Sequence, residues 1–133
     1  MQTAIATVSL AGTLDEKLAA IAGARFRGVE IFENDLLSFD GTPAEVRRMV
    51  EDLGLKTITF QPFRDFEGMP APQRERNFDR AERKFDLMQQ LDCDLLLVCS
   101  NVSPEALGGV DRASRRFSRT GGACRETRPQ DRL

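Results

Sequence analysis

Three short stretches carry side chains that could do chemistry. The first is Glu30, set inside the apolar run Val29-Glu30-Ile31-Phe32. Side chains along an extended chain alternate between faces. If Val29 and Ile31 pack against a core, Glu30 points to the opposite face, into whatever interior the strand helps to enclose. A carboxylate there is costly unless it is paired, hydrogen-bonded or ligated. Two readings follow: a group that organises a polar site, or one half of an ion pair with a buried base. The second stretch is Gln61-Pro62-Phe63-Arg64-Asp65-Phe66-Glu67-Gly68. The Arg64 guanidinium suits two-pronged recognition of a substrate carboxylate, or it pairs within its own loop with Asp65 or Glu67. Gln61 continues the side of the chain that carries Thr57 and Thr59, and Phe63 and Phe66 are expected to anchor the loop rather than stack on a ligand. The third stretch is Cys99-Ser100-Asn101, where Ser100 and Asn101 offer neutral donors and acceptors, or simply make a turn.

Composition narrows the chemistry. The 133 residues contain no His, so acid–base work must rest on carboxylates, Lys or thiols. Cys93, Cys99 and Cys124 are an odd set without metal-ligand spacing; reduced thiols are expected, with Cys99 buried in a strand. Glu33-Asn34-Asp35 is acidic but lacks the glycine and spaced oxygens of a calcium loop, so no metal is assigned there. A net charge of −2 gives no reason to expect nucleic acid or a membrane surface as partner. No apolar run approaches the roughly 18 residues of a membrane span, and Met1-Gln2-Thr3-Ala4-Ile5 lacks the pattern of a signal peptide, so the expected location is cytoplasmic. The charge is uneven: residues 1–110 carry −6 and residues 111–133 carry +4.

The elements that must position these residues repeat. Ala4 to Ser9 reads as a strand. Thr13 and Glu16 form a capping box for a helix bearing Leu14, Leu18, Ile21 and Ala22, and Gly23 and Gly28 bracket the return to the strand Val29–Phe32. A loop from Glu33 to Gly41 leads to Thr42, Pro43 and Glu45, a second capping box. Val46, Met49, Val50 and Leu53 form one stripe, and Gly54 stops that helix. Lys56–Phe60 is a β-branched strand. A long loop, Gln61 to Pro72, precedes a helix whose buried side carries Phe78, Ala81, Phe85, Met88 and Leu91, with Asp79 and Arg83 on the wet side. Asp94–Cys99 reads as a strand buried on both faces, and Ser103-Pro104-Glu105 begins a fourth helix. Strands alternating with helices imply βαβ units and a parallel sheet, closed as a barrel or left open and doubly wound. No Gly-x-Gly-x-x-Gly follows the first strand, so the dinucleotide variant lacks its signal. In either closure the working residues sit at the carboxyl ends of the strands.

Ile5–Leu10, Gly28–Asp35, Phe60–Gly68, Glu82–Met88 and Leu97–Asn101 together resemble the N-terminal part of the bacterial 3-dehydroshikimate dehydratases, within the xylose isomerase-like (sugar phosphate isomerase/epimerase) barrel superfamily. The Val-Glu-Ile strand marks only the superfamily; the Gln-Pro-Phe-Arg-Asp-Phe-Glu-Gly loop is far more specific. The resemblance implies an α/β fold in which residues 1–110 supply the first four βα units of a (β/α)8 TIM barrel, incomplete by itself. It implies, for the family, a lyase: metal-dependent dehydration of 3-dehydroshikimate to protocatechuate in quinate and shikimate breakdown. The family's divalent metal sits on later strands, so none is expected to bind this fragment. Glu30, Gln61, Arg64, Ser100 and Asn101 match the first-half mouth and inherit at most a substrate-binding or site-shaping role. No residue is assigned as catalytic.

The resemblance ends near Asp111–Ser114. From there the chain turns Arg- and Gly-rich, and residues 111–133 are expected to be a disordered tail, the product of a reading-frame shift. A full barrel takes about 250 residues, so the chain alone is expected to be inactive. Other readings remain open: a fragment of a sugar phosphate isomerase/epimerase-type barrel, a half-barrel that self-associates through exposed sheet edges without catalysis, or a small open-sheet module that binds an anionic metabolite.

Overall fold

The computed structural model describes residues 3–112 and, beyond them, residues 114, 115 and 118. Most of the expected Arg-rich tail lies outside the described residues. In chain order the elements are β1 (Ala4–Ala6), a 3₁₀ turn (Thr7–Ser9), α1 (Leu14–Gly23), β2 (Gly28–Phe32), α2 (Glu33–Leu37), α3 (Pro43–Asp52), β3 (Lys56–Phe63), α4 (Gln73–Gln90) and β4 (Leu96–Val98). The four strands form one sheet in the order β1-β2-β3-β4. β1 pairs parallel with β2, and β2 parallel with β3. The chain divides into two compact units. Among the described residues, the first comprises residues 3–62 with Leu87–Leu97; the second comprises Phe63–Asp86 with those from Val98 onward.

The first unit is built on alternation. Val29 and Ile31 are fully buried, as are Leu18, Ile21, Val46, Val50 and Phe60, each contributing roughly 1.5–3 kcal/mol through burial. The helices begin and end as their sequences dictate. The Thr13 N–H donates to Glu16 Oε2 at 2.9 Å. The Thr42 N–H donates to Glu45 Oε2 at 2.7 Å, and the Glu45 N–H returns to Thr42 Oγ1 at 3.2 Å. At the end of α3 Gly54 takes φ +69°, and the Leu55 N–H reaches the Val50 carbonyl at 2.9 Å, the Schellman arrangement that favours glycine. After α1 the equivalent left-handed residue is Arg25 (φ 63°) rather than a glycine, with Phe26 N–H bonded to the Ile21 carbonyl at 3.2 Å. Gly28 is required for a different reason: a Cβ there would lie 2.6 Å from Ile58 Cγ1 and 3.0 Å from Ala4 Cβ.

Several sequence expectations need correction. The third strand runs to Phe63 rather than Phe60, so the loop after it begins at Arg64 and not at Gln61. The first strand ends at Ala6 instead of Ser9, because the Thr7 hydroxyl accepts the Phe32 N–H at 3.0 Å and takes the place of a strand carbonyl. The loop after β2 opens with the short helix α2, whose five residues are too few to show a period. Its acids Glu33 and Asp35 lie in the first turn, where the helix dipole favours negative charge. β4 covers Leu96–Val98 rather than residues 94–99, and it is not buried on both faces, since Leu97 is exposed; among the described residues it lies at the end of the sheet, beside β3. Cys99 falls just beyond it and is half-buried, whereas Cys93 is the buried thiol. Burial is the main force pushing the Cys93 thiol above its ordinary range. Finally, Ser103-Pro104-Glu105 makes a turn, closed by the Ala106 N–H on the Ser103 carbonyl at 3.0 Å, and does not start a helix. Gly108-Gly109 follows, each disfavoured in a helix by about 1 kcal/mol, and helical conformation appears only at Val110.

The second unit has its own small core. Phe63 and Phe66 are fully buried with ring centroids 4.8 Å apart, and Phe78 meets Phe66 edge-on at 5.7 Å. These rings fasten the loop after β3, as anchoring residues should.

Candidate functional site

In the first unit the polar chemistry lies at the carboxyl end of β2 and β3. Val29 and Ile31 are buried, so Glu30 emerges on the opposite face and is half-exposed. The register sets Glu30 beside Thr59 and Phe32 beside Gln61, after an irregularity between Val29 and Glu30. Gln61 therefore shares the Glu30 face, and its Nε2 donates to Glu30 Oε2 at 3.0 Å. The partner of Glu30 is an amide rather than a buried base. A carboxylate held by one amide keeps acceptor capacity for a hydroxyl or a cation. Thr7 braces this end of the sheet through its bond to the Phe32 N–H.

The acidic Glu33-Asn34-Asp35 stretch is accounted for structurally. Lys17 Nζ meets Asp35 Oδ1 at 2.8 Å, with side chains 7% and 16% exposed. This pins α1 to α2, and Asp35 Oδ2 is buried with no hydrogen-bond partner.

In the second unit Arg64 is exposed, and its guanidinium makes no ion pair with Asp65 or Glu67 among the described residues. Its carbonyl accepts from Arg80 Nη2 at 3.2 Å. Ser100 is exposed. Asn101 is half-buried and its amide is engaged at both ends: Nδ2 donates to the Glu67 carbonyl at 2.6 Å and Oδ1 accepts the Ser103 N–H at 2.8 Å. Asn101 thus ties the chain after β4 to the loop after β3 and shapes that loop directly.

Sequence reasoning missed Lys17, Asn77 and Lys84, all buried polar residues. The signal was available. Lys17 sits at i+3 from Leu14 and one residue before Leu18, on the buried stripe of α1. Asn77 and Lys84 flank the apolar stripe of α4 that carries Ala81, Phe85 and Met88. A polar residue inside an apolar stripe needs a partner, and that requirement marks it before any partner is known.

Divalent-metal chemistry can be tested against the donors present. Among the described residues no group of three or more Asp, Glu or Cys side chains could hold a metal ion. Glu30 is one carboxylate with an amide beside it, which does not make a ligand set.

A sequence profile described as a xylose isomerase-like TIM barrel matches residues 17–128. The chain is 67% identical over 108 residues to a 3-dehydroshikimate dehydratase of Pseudomonas aeruginosa, covering 81% of this chain and 17% of that protein. It is 65% identical over 108 residues to a 3-dehydroshikimate dehydratase of Pseudomonas putida, with the same coverage of 81% and 17%. Among solved structures it resembles a xylose isomerase-like TIM barrel/4-hydroxyphenylpyruvate dioxygenase fusion protein, with TM-score 0.91 and 56% identity over 95% of this chain and 20% of that one. The chain therefore spans about a sixth of the length of the curated relatives it matches, 17%.

Proposed function

The chain belongs to the xylose isomerase-like TIM barrel family, and from that premise we propose that it supplies the first βα units of a 3-dehydroshikimate dehydratase, a lyase of small-molecule catabolism. The observation that carries the proposal is the 67% identity over 108 residues to a protein of that activity. The Glu30 carboxylate, oriented by Gln61, takes a substrate hydroxyl. The exposed Arg64 guanidinium takes the substrate carboxylate in a bidentate pair. Ser100 offers a neutral hydroxyl, and Asn101 shapes the loop through Glu67. The divalent metal of the parent activity belongs to donors other than these five residues. A cytoplasmic setting is part of the same proposal, checked by cell fractionation; no described helix is long and apolar enough to cross a membrane. So is the origin of residues 111–133 in a reading-frame shift, checked by resequencing the codons for residues 105–120.

The 133 residues by themselves are expected to give no turnover of 3-dehydroshikimate with Mg²⁺, Mn²⁺ or Co²⁺. Protocatechuate formation above a metal-free control overturns this. A second reading rests on the sheet. β1 and β4 are its outer strands, and Leu95 and Leu97 are 57% and 43% exposed. Unpaired strand edges beside apolar surface favour pairing with another copy. Self-association would appear as a mass that rises with concentration in sedimentation equilibrium, and a constant monomer mass removes this reading.

A further inference from the structure

The loop after β3 has an attachment that no sequence motif announces. Three successive carbonyls, those of Arg64, Asp65 and Phe66, are each claimed by a side chain of α4. Asn77, 1% exposed, donates from Nδ2 to the Asp65 carbonyl at 2.6 Å and to the Phe66 carbonyl at 3.3 Å. Arg80 Nη2 donates to the Arg64 carbonyl at 3.2 Å. The two clamp residues also hold each other, since Arg80 Nη1 donates to Asn77 Oδ1 at 3.0 Å. Gln73 Nε2 gives the same oxygen a second donor at 3.3 Å. The amide orientation is fixed by this environment: two acceptors face its nitrogen and two donors face its oxygen, so the reverse orientation would set like against like four times.

Arg80 is held on a third side. Its guanidinium carbon lies 5.1 Å from the centroid of the buried Phe63 ring, a cation–π distance. A lysine could not reproduce this arrangement, because one ammonium lacks the planar fork that reaches a carbonyl and an amide oxygen together. The loop needs such support. Asp65 adopts a left-handed backbone, φ 54°, a conformation that costs an L-residue free energy and persists only where its surroundings enforce it. The turn it makes directs consecutive carbonyls toward α4 while the Arg64 side chain stays exposed.

We infer that Asn77 and Arg80 are positioning residues, a carbonyl clamp on α4 that fixes the backbone of residues 64–66 so that the Arg64 guanidinium is presented, already oriented, to an anionic ligand. The inference rests on the reading of Arg64 as a carboxylate-binding residue. Pre-organisation of this kind lowers the entropy lost on binding without adding a contact. Neither clamp residue touches the ligand.

The test separates the clamp from that reading. Hydrogen–deuterium exchange is followed for the amides of residues 64–68, with those of residues 29–31 in the first unit as internal reference. The comparison covers the wild-type 133-residue chain, Asn77→Asp and Arg80→Lys, with and without 3-dehydroshikimate as probe. Asn77→Asp keeps the volume and the acceptor that faces Arg80 and Gln73 but removes the donor. Arg80→Lys keeps the charge but removes the fork, at a half-buried site where folding is less at stake. Each variant is expected to raise exchange of residues 64–68 by about tenfold, the effect of one ordinary hydrogen bond lost, with residues 29–31 unchanged. The probe is expected to slow exchange at residues 64–68 in the wild type and to slow it less in either variant. Exchange that stays at the wild-type level in Arg80→Lys and Asn77→Asp overturns the clamp, and so does an equal rise at residues 29–31, which reports general loosening. A loop that loosens as expected, with no effect of the probe on the wild type, leaves the clamp standing and overturns the role of Arg64.

Discussion

In the first unit, β1, β2 and β3 are joined by a parallel ladder with one irregularity, between Val29 and Glu30, and the side chains that matter most for packing are aliphatic. In the second unit, the loop from Phe63 to Gly68 is fastened by side chains that reach its carbonyls: Arg80 on Arg64, Asn77 on Asp65 and Phe66, and Asn101 on Glu67. The two regions solve one problem by different means. A strand satisfies its backbone polar groups through its neighbour, and any residue of suitable shape will serve. Between Phe63 and Gly68, whose carbonyls accept the backbone N–H groups of Cys99 and Leu107, the loop has no ladder partner, so the carbonyls of residues 64–67 are met by side-chain donors instead. Stability in the first unit is spread over many interchangeable contacts. In the second it is concentrated in a few that cannot be interchanged.

The Lys17–Asp35 pair breaks that division in the first unit, and the largest single effect is expected there. Both side chains are nearly buried and 2.8 Å apart, and the second carboxylate oxygen has no hydrogen-bond partner. Lys17→Met removes the cation and leaves a buried carboxylate without compensation, at a cost of about 3 kcal/mol. The double variant Lys17→Met/Asp35→Leu removes both charges and is expected to recover most of that loss, because desolvation and attraction nearly cancel in such pairs. Urea denaturation of the wild type, the single and the double variants measures both quantities. A single variant within about 0.5 kcal/mol of wild type, the range of an ordinary surface change, would show that the pair is solvated and that the first unit has no concentrated contact.

What could be read in advance follows the same division. The alternation around Val29-Glu30-Ile31 placed Glu30 opposite the core, and Thr57-Ile58-Thr59-Phe60-Gln61 put Gln61 on the side of Thr57 and Thr59, because a strand's period is a property of the chain itself; that this side is also the Glu30 side depends on the register, which shifts between Val29 and Glu30. The capping boxes at Thr13 and Thr42 were legible for the same reason: partner and donor lie three residues apart. The bond between Asn101 and Glu67 spans 34 residues, and that between Asn77 and Asp65 spans 12. No local pattern encodes either. The left-handed turns at Arg25, Asp65 and Asp92 were missed because glycine is the usual marker of that conformation, and here the surroundings impose it on other residues. Ser100 was nominated from its place after a strand, and the structure leaves it exposed.

The smallest effect sharpens the comparison from the side of purely local contacts. Backbone and side-chain hydrogen bonds from Thr42 hold the Glu45 carboxyl below its usual range, with the charge of Arg48 acting the same way. A carboxylate whose folded pKa is depressed contributes stability that is fully present above its unfolded pKa and is lost as the pH falls through the folded one. Glu45→Gln keeps an acceptor for the Thr42 N–H but removes the charge, and with it the favourable interaction with the N-terminus of α3. Wild type is therefore expected to be slightly more stable than Glu45→Gln at neutral pH, and the gap should close as the pH drops through the carboxylate range. Thermal denaturation of both proteins at a series of pH values follows the gap. If it persists unchanged in acid, the capping interaction owes nothing to the charge and depends on amide-like hydrogen bonding alone. If it closes, the α3 cap is a local electrostatic contact between Glu45 and the start of its own helix.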